Sequence, residues 1–419
     1  MWRYRGNYQT GQDQDFTTQE QTCSVFCEIE VIGERSEGTT EDSWLISVRD
    51  KLDQAHRGDD TTIWGELCIY KVPHYLKKKD NKLYSPQTVS VGPYHHGNER
   101  LWSMECHKWR AVNKVLIRRQ HRIEMYIDAM RELEEKARAC YEGPISLSSN
   151  EFTEMLVLDG CFVLELFRGT VEGFTEIGYA RNDPVFAMRG LMHSIQRDMI
   201  MLENQLPLFV LDRLLELQLG TQNQTGIVAH VAVKFFDPLM PTGEALTKPD
   251  QSKLMNWLEK SLDTLGDKGE LHCLDVFRRS LLQSSPTPSV MDNRHQQLIH
   301  CVTELKGAVS SSGEGIPTGT KSLFSNLMAF EQCHIESSKH ITAYIIFMDN
   351  LMKSNEDVSY LHYHGIIEHW LGSDSEVADL FNQLCQEVVF DPKNSHLSRV
   401  SADVNCISYR SCTATSHIM

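Results

Sequence analysis

Hydrophobic side chains recur at helical spacing along most of the chain. The clearest series has steps of three, four, seven and four residues, and it consists of Trp109, Val112, Leu116, Ile123 and Ile127. Such steps place side chains on one face of an α-helix. The pattern predicts one long helix over residues 103–139 with these five side chains buried.

A second segment, residues 155–167, is apolar almost all round and reads MLVLDGCFVLELF. It follows Ser148 and Glu151, whose spacing is that of a capping box, in which two side chains satisfy free backbone amides at a helix start. A helix that is apolar on every side must be surrounded by other elements. We therefore predict that this helix is the core of the fold. Ser373 and Glu376 mark a further helix start in the same way.

These patterns predict a mainly α protein: a multi-helix globular body with a few short strands and an incomplete small sheet. Residues 1–60 are polar and predict a variable, poorly ordered N-terminal arm, in which Trp44–Leu52 forms a short amphipathic helix. Residues 61–391 form the helical domain, with a flexible loop region at 283–322 that is rich in serine, glycine and proline. Residues 392–419 form a short polar tail.

The charge balance is acidic, with 41 Lys and Arg against 57 Asp and Glu, a net charge of −16. This balance argues against non-specific binding of nucleic acid. The two basic groups, Lys77–Lys79 and Arg118–Arg122, are short and favour a solvated surface over a nucleic-acid or lipid site.

We find no secretory signal and no apolar run long enough to span a membrane, since Ala343–Met348 is followed by Asp349. The 12 scattered cysteines indicate a reducing compartment, and we expect a cytoplasmic protein or one peripheral to the membrane.

Histidine offers the first candidate chemistry. His95 and His96 lie in the segment Gly92–Gly97, and His74 is the nearest further metal ligand along the chain. A metal site needs three or four ligands. A glycine-bounded turn with hydrogen-bonded imidazoles is the favoured interpretation.

A second histidine group comprises His362, His364 and His369, with Glu368 one helical turn after His364. Side chains one turn apart converge and can share a metal ion. The sequence indicates no third ligand, so structural histidines are favoured here as well.

Other polar groups are also favoured as structural. Cys333–His334 and Cys106–His107 are neighbours in sequence, which point in different directions on a helix and form no catalytic dyad. Glu203, Asn204 and Gln205 stand beside Pro207, where they are expected to satisfy backbone groups freed by the helix break. We accordingly predict no catalytic residue, no cofactor-binding residue, no metal ligand and no cofactor.

Several segments together resemble one known family. They read IYKVP (69–73), YSPQTVSVGPYHHG (84–97), MECHKWR (104–110), RELEEKARACYE (131–142), EFTEMLVLDGCFVLELF (151–167), RDMIMLENQLPLFVLDRL (197–214), NLMAFEQCH (326–334) and GIIEHWLGSDSEVADLFNQLCQEVVFD (365–391). In this order they resemble the plant domain of unknown function 247 family.

The resemblance implies a plant-specific, predominantly helical protein without an established enzymatic activity. Family members usually end in one transmembrane helix, are presumed to be membrane-associated, and in some cases are linked to self/non-self recognition. This chain departs from the family pattern in two places. Residues 310–317 replace a longer strand-forming insertion, and the tail after Asn405 contains no apolar run, which suggests a truncated C-terminus.

Two function hypotheses follow. The first is a non-enzymatic interaction or recognition protein with a protein partner. The second is a hydrolase- or transferase-like enzyme that uses the turn Tyr94–Gly97. The first is favoured, because the sequence contains no spaced pair of nucleophile and base.

Overall fold

Helices account for nearly all regular secondary structure, so the protein is mainly α, as predicted. The computed structural model describes residues 44–52, 66–78, 80–220, 226–239, 271–282, 314–316, 320–369, 371–386 and 388–390, together with Ser395, Leu397, Val400 and Ser401. The chain divides into two compact units, Met1–Asp60 and Thr61–Met419.

The first unit contains one described helix, α1, at residues 44–52. It coincides with the predicted amphipathic stretch, and its larger apolar side chains, among them Trp44 and Ile46, are exposed. The rest of the predicted N-terminal arm lies outside the described residues, as do almost all of the loop region 283–322 and most of the tail 392–419.

The helices of the second unit follow in chain order: α2 (His74–Lys77), α3 (Trp102–Arg119), α4 (Ile123–Glu132), α5 (Glu134–Ala139), α6 (Ser149–Glu172), α7 (Arg189–Met199), α8 (Leu208–Leu219), α9 (Ile227–Phe236), α10 (Cys273–Leu282), α11 (Thr320–Cys333), α12 (His340–Leu351), α13 (Asn355–Tyr363) and α14 (Asp374–Cys385). Short 3₁₀ turns lie at Asn81–Tyr84, Glu99–Leu101 and Asp237–Leu239.

The described part of the chain contains one small sheet. Strand β1 (Glu314–Ile316) pairs in parallel with strand β2 (Ile367–His369), with Ile316 opposite His369. Three-residue strands bury little surface, so this sheet joins two distant segments and the helices form the core.

Helix α6 lies at the centre of that core, which confirms the prediction for residues 155–167. All thirteen of these residues are buried, and α6 contacts α3, α4, α8 and α9. Gly160 allows α8 to approach closely, because a Cβ atom at this position would collide with Leu214. Ser148 and Glu151 form the complete capping box. At the start of α14, Ser373 accepts the Glu376 N–H, whereas the Glu376 carboxylate accepts the N–H of Gly372.

The predicted long helix over residues 103–139 is wrong. Helix α3 ends at Arg119, Gln120 adopts a left-handed conformation with φ of 56°, and a new helix begins at Ile123. The N–H of His121 closes the end of α3 on the Leu116 carbonyl, 3.1 Å away. A step of seven residues from Leu116 to Ile123 equals two helical turns, so two helices that face the same core produce the same pattern as one.

The prediction that all five side chains of this series are buried is also only partly correct. Val112 is buried, and Leu116, Ile123 and Ile127 are partly buried against the core. Trp109, in contrast, is 47% exposed. The buried side of α3 is centred on Lys108, Ala111 and Val115, which turns the indole outward.

The loop before α3 is held by buried polar side chains. Lys108 Nζ lies 2.6 Å from Asp159 Oδ1, and the other oxygen of Asp159 accepts the N–H of Gly92 at 2.9 Å. Asp198 accepts three successive backbone N–H groups, those of residues 87–89. Asn204 accepts the N–H of Val91 at 2.7 Å. The loop therefore hydrogen-bonds to side chains on elements far away in sequence, as buried amides require.

Replacing buried leucines of the central helix α6 by alanine should destabilise the protein strongly. Leu158→Ala and Leu164→Ala each remove a buried side chain from α6, and we expect each to lower the free energy of unfolding by about 2–5 kcal/mol. Val171→Ala on the same helix is the matched control, because Val171 is half exposed, and its effect should stay within about 0.5 kcal/mol. Denaturant unfolding measures all three variants. Equal effects of Leu158→Ala and Val171→Ala would contradict a central α6.

Breaking the Lys108–Asp159 pair should be equally severe. Asp159→Asn keeps the side-chain shape but removes a negative charge from beside the fully buried ammonium of Lys108. Such a loss typically lowers the free energy of unfolding by about 3–5 kcal/mol. Glu124→Gln is the control, because it breaks the solvent-exposed pair with Arg122, and it should leave the stability nearly unchanged. Chemical denaturation of both variants checks this expectation, and an Asp159→Asn protein as stable as the control would overturn it.

Candidate functional site

The turn Tyr94–Gly97 is anchored to the fold by its tyrosine. The Tyr94 hydroxyl lies 3.1 Å from the Ile69 carbonyl and 2.9 Å from the Glu142 carbonyl, to which it donates. Burial raises the pKa of Tyr94 well above its usual value, so the hydroxyl stays protonated. Its contacts describe a donor that connects two chain segments.

A polar cavity of about 290 Å³ lies beside this turn. Its lining includes Lys71, Lys77, Tyr94, Ile145 and Glu203. The Glu203 carboxylate accepts the N–H of Val72 at 2.7 Å and contacts Lys77 Nζ at 2.6 Å. The carboxylate is therefore engaged with a backbone amide and an ammonium group.

The two histidines of the turn do not assemble a metal site in the described part of the chain. His95 Nε2 lies 3.7 Å from a Glu203 oxygen, which is too long for a hydrogen bond. Burial lowers the pKa of His95, which favours a neutral imidazole at pH 7. His74 is exposed on α2 and joins no group of convergent metal ligands with His95 or His96.

The polar residues beside Pro207 bind backbone groups, some of them distant. Gln205 donates to the carbonyls of Met199 and Met201 near the helix break, and its side-chain oxygen accepts the N–H of Leu274. Glu203 and Asn204 instead reach amides more than one hundred residues earlier in the chain. Their contacts are those of residues that hold the fold together.

The sequence favours a solvated surface for the two basic groups, Lys77–Lys79 and Arg118–Arg122. The structure corrects this interpretation, because Lys77 and Arg118 pair with carboxylates of the fold. Lys77 contacts Glu203, and Arg118 forms two hydrogen bonds of 2.7 and 2.8 Å with the buried carboxylate of Glu165. Arg122 does pair at the surface, with Glu124. Lys79 lies outside the described residues.

Two of the described thiols near histidines, Cys273 and Cys333, lack the features of nucleophiles. Burial raises the pKa of Cys333 to about 12, and the neighbouring His334 binds the Tyr70 hydroxyl through Nδ1 at 2.9 Å. Burial likewise raises the pKa of Cys273 to about 12. Cys106 is exposed on α3, and its thiol donates to the Ser103 carbonyl. Reactive cysteines need a lowered pKa, and burial has the opposite effect.

Two side chains of the second histidine group, His362 and His369, do converge. They meet at a third residue that the sequence pattern did not indicate. His362 at the end of α13 and His369 on β2 both point at Asp374, the first residue of α14. Asp374 Oδ1 lies 3.2 Å from His362 Nδ1 and 2.7 Å from His369 Nε2. The expectation that no third ligand is available is therefore wrong.

The remaining members of that sequence group lie elsewhere or outside the described side chains. His364 packs against the rings of Tyr360 and Tyr363. The side chain of Glu368 lies outside the described part. The sequence pattern did not indicate Asp374, because it follows His369 by five positions across a turn, a step that matches no helical period.

A row of exposed apolar side chains runs along α3. Trp102, Cys106, Trp109 and Ile117 follow at steps of four, three and eight residues, which keeps them on one helical face. Trp102 is 62% exposed and Ile117 is 68% exposed. We call these four residues the α3 apolar stripe.

These features define a class: a mainly helical protein whose described polar motifs mostly hold the fold together. The family model for plant proteins of unknown function, DUF247, matches residues 69–310 and 315–418. The chain belongs to this DUF247 family. The two matched segments meet within the loop region 283–322.

Two plant proteins illustrate the relationship. The UPF0481 protein At3g47200 of Arabidopsis thaliana is 29% identical over 371 residues, which cover 81% of this chain and 76% of the relative. The UPF0481 protein At3g02645 of the same plant is 24% identical over 472 aligned residues, covering 87% of this chain and 86% of the relative. No solved structure matches the chain. Among the described helices, none has the length and apolar character needed to cross a membrane.

The thiols should differ sharply in reactivity. With iodoacetamide at neutral pH, we expect rapid alkylation at Cys106 and little at Cys161 or Cys273, because burial raises the pKa of both and blocks access. Mass spectrometry of individual peptides gives the rate at each position. Unfolding in denaturant is the control and should make the three rates similar. Alkylation of native Cys273 as fast as that of Cys106 would mean that an activated thiol exists.

Proposed function

We propose that this plant protein is a non-enzymatic interaction protein that binds a protein partner through the α3 apolar stripe. The observation that carries the proposal is the exposure of two tryptophans one above the other on a well-anchored helix, Trp102 and Trp109. Tryptophan is the residue most enriched at the energetic centres of protein interfaces. Exposed apolar patches on soluble proteins commonly mark such interfaces.

The helix that carries the stripe is held rigidly from its opposite face. Lys108 pairs with Asp159, and Arg118 pairs with Glu165, so two ion pairs join α3 to α6 about three turns apart. A surface that is already ordered loses little conformational entropy on binding. This arrangement supports a preformed docking surface.

The surroundings of the stripe indicate the chemistry of the partner. Arg110 and Lys114 lie on the same helix beside Ile117, partly exposed, and each is held in place by a contact with the segment 178–183. A partner that matches this surface has an apolar centre and carboxylates along one edge, since opposite charges at a rim favour encounter and orientation. Self/non-self recognition, which the family resemblance implies, is one role that such binding would serve.

The enzyme hypothesis for Tyr94–Gly97 receives less support. The Tyr94 hydroxyl already donates to backbone carbonyls, and Glu203 is engaged with Lys77 and an amide. Neither group is paired with a base in the way that catalysis by a nucleophile requires.

The proposal is tested with the full chain as bait in plant extract. Trp102→Ala combined with Trp109→Ala should weaken partner capture about 30-fold or more, because loss of one central anchor typically costs about 2 kcal/mol. Ile335→Ala is the matched control, because Ile335 is an apolar residue 96% exposed outside the stripe, and it should capture the partner normally. In the complex, alkylation of Cys106 should slow.

Two results would refute the proposal. One is equal capture by the double variant and the Ile335→Ala control, with unchanged labelling of Cys106. The other is turnover of a substrate by the purified protein that Tyr94→Phe abolishes while the protein stays folded. Circular dichroism of each variant shows that the fold is retained.

A further inference from the structure

Three potential metal ligands converge near the end of the described chain. His362 comes from the last turn of α13, His369 from β2 and Asp374 from the first turn of α14. Their ligand atoms all lie within 4.8 Å of one another, and they form the one such group in the part of the chain that the structure describes. We propose that these three side chains bind a divalent first-row transition metal ion such as Zn²⁺.

The distances suit a metal centre. Zn²⁺ binds histidine nitrogen and carboxylate oxygen at about 2.0–2.2 Å, so tetrahedral ligand atoms stand about 3.3 Å apart. Asp374 Oδ1 lies 3.2 Å from His362 Nδ1 and 2.7 Å from His369 Nε2. The two imidazole centroids are 4.8 Å apart. The ligand atoms of the group stand up to 4.8 Å apart, so an ion fits only once the two imidazole rings rotate toward each other.

A further side chain orients the carboxylate. Ser359 Oγ donates to Asp374 Oδ2 at 2.5 Å, which leaves Oδ1 facing the two imidazoles. Support of this kind around metal ligands sets both their orientation and their affinity.

The donor set selects the class of ion. Two imidazole nitrogens and one carboxylate oxygen suit zinc and its first-row neighbours, whereas calcium and magnesium prefer oxygen ligands alone. The side chain of His369 is 5% exposed and that of His362 is 49% exposed, so the group opens to solvent on one side. A water molecule can complete a fourth position there.

Metal binding would add a further link between α13, β2 and α14, which already pack against one another. His369 stands opposite Ile316 in the small sheet, so an ion bound to its side chain would lie next to the pairing of β2 with β1. The expected consequence is greater stability of the segment 355–385, because an ion that binds only the folded state stabilises it by mass action. Without a metal, the same residues form hydrogen bonds through one shared carboxylate oxygen, and the experiment separates the two arrangements.

The experiment uses the full chain after treatment with a chelator and titrates it with Zn²⁺ in a calorimeter. We expect one site per chain that Asp374→Asn or His362→Ala removes. Ser359→Ala should weaken binding by about 10–100-fold, the usual effect of losing an orienting partner. His364→Ala is the matched control, because this exposed histidine packs on tyrosine rings and contacts none of the three ligands, and it should bind normally.

Cobalt distinguishes a formed centre from scattered binding by surface histidines and cysteines. Co²⁺ bound in tetrahedral geometry shows visible absorption bands, which should appear with the wild-type chain and His364→Ala and be absent with Asp374→Asn. Circular dichroism checks that the variants remain folded. If the wild type and Asp374→Asn bind Zn²⁺ equally and neither shows cobalt bands, the group is a hydrogen-bonded cluster and the proposal is wrong.

Discussion

The buried ion pair between Lys108 and Asp159 determines how the two principal helices meet. Two charges withdrawn from water are stable only when nearly all their hydrogen-bonding capacity is used. Here the ammonium also contacts Glu105 and Ser90, and the carboxylate also accepts the N–H of Gly92. The pair therefore sets the rotation of α3 against α6 and draws in the loop that precedes α3. Together with the Arg118–Glu165 pair and the buried Ala111 and Val115, it leaves the stripe tryptophans facing outward.

Buried carboxylates also connect other segments that are distant in sequence. Glu165 binds Arg118, and Glu331 binds Arg278 as well as the backbone amides of Ile341 and Thr342 in the first turn of α12. Asp198 holds three amides of the loop at 87–89. A buried carboxylate that accepts amides satisfies backbone groups that have no partner within their own segment. These carboxylates explain how an irregular stretch can lie inside a helical protein.

Gly92 and the run Glu203–Gln205 also belong to this network. Gly92 adopts a φ of 81°, and a Cβ atom there would collide with the Gln205 carbonyl, so the motif and the loop depend on each other. Their described contacts hold the loop before α3 and the helix break at Pro207 in place. The two proposed binding sites lie on other residues: the α3 apolar stripe, and the group formed by His362, His369 and Asp374.

Local, periodic features were determined by the sequence alone. The apolar run at 155–167 and the capping box before it report on one helix and its immediate neighbours, and both are present as predicted. Three features were decided only by tertiary structure: the break at Gln120, the exposure of Trp109 and the approach of Asp374 to two histidines. Periodicity reports which residues share a face, but not whether the helix is continuous, which face is covered, or which side chains meet across a turn. These properties depend on the surfaces that pack against each segment, as the buried pair of Lys108 and Asp159 illustrates for the face of α3 that is covered.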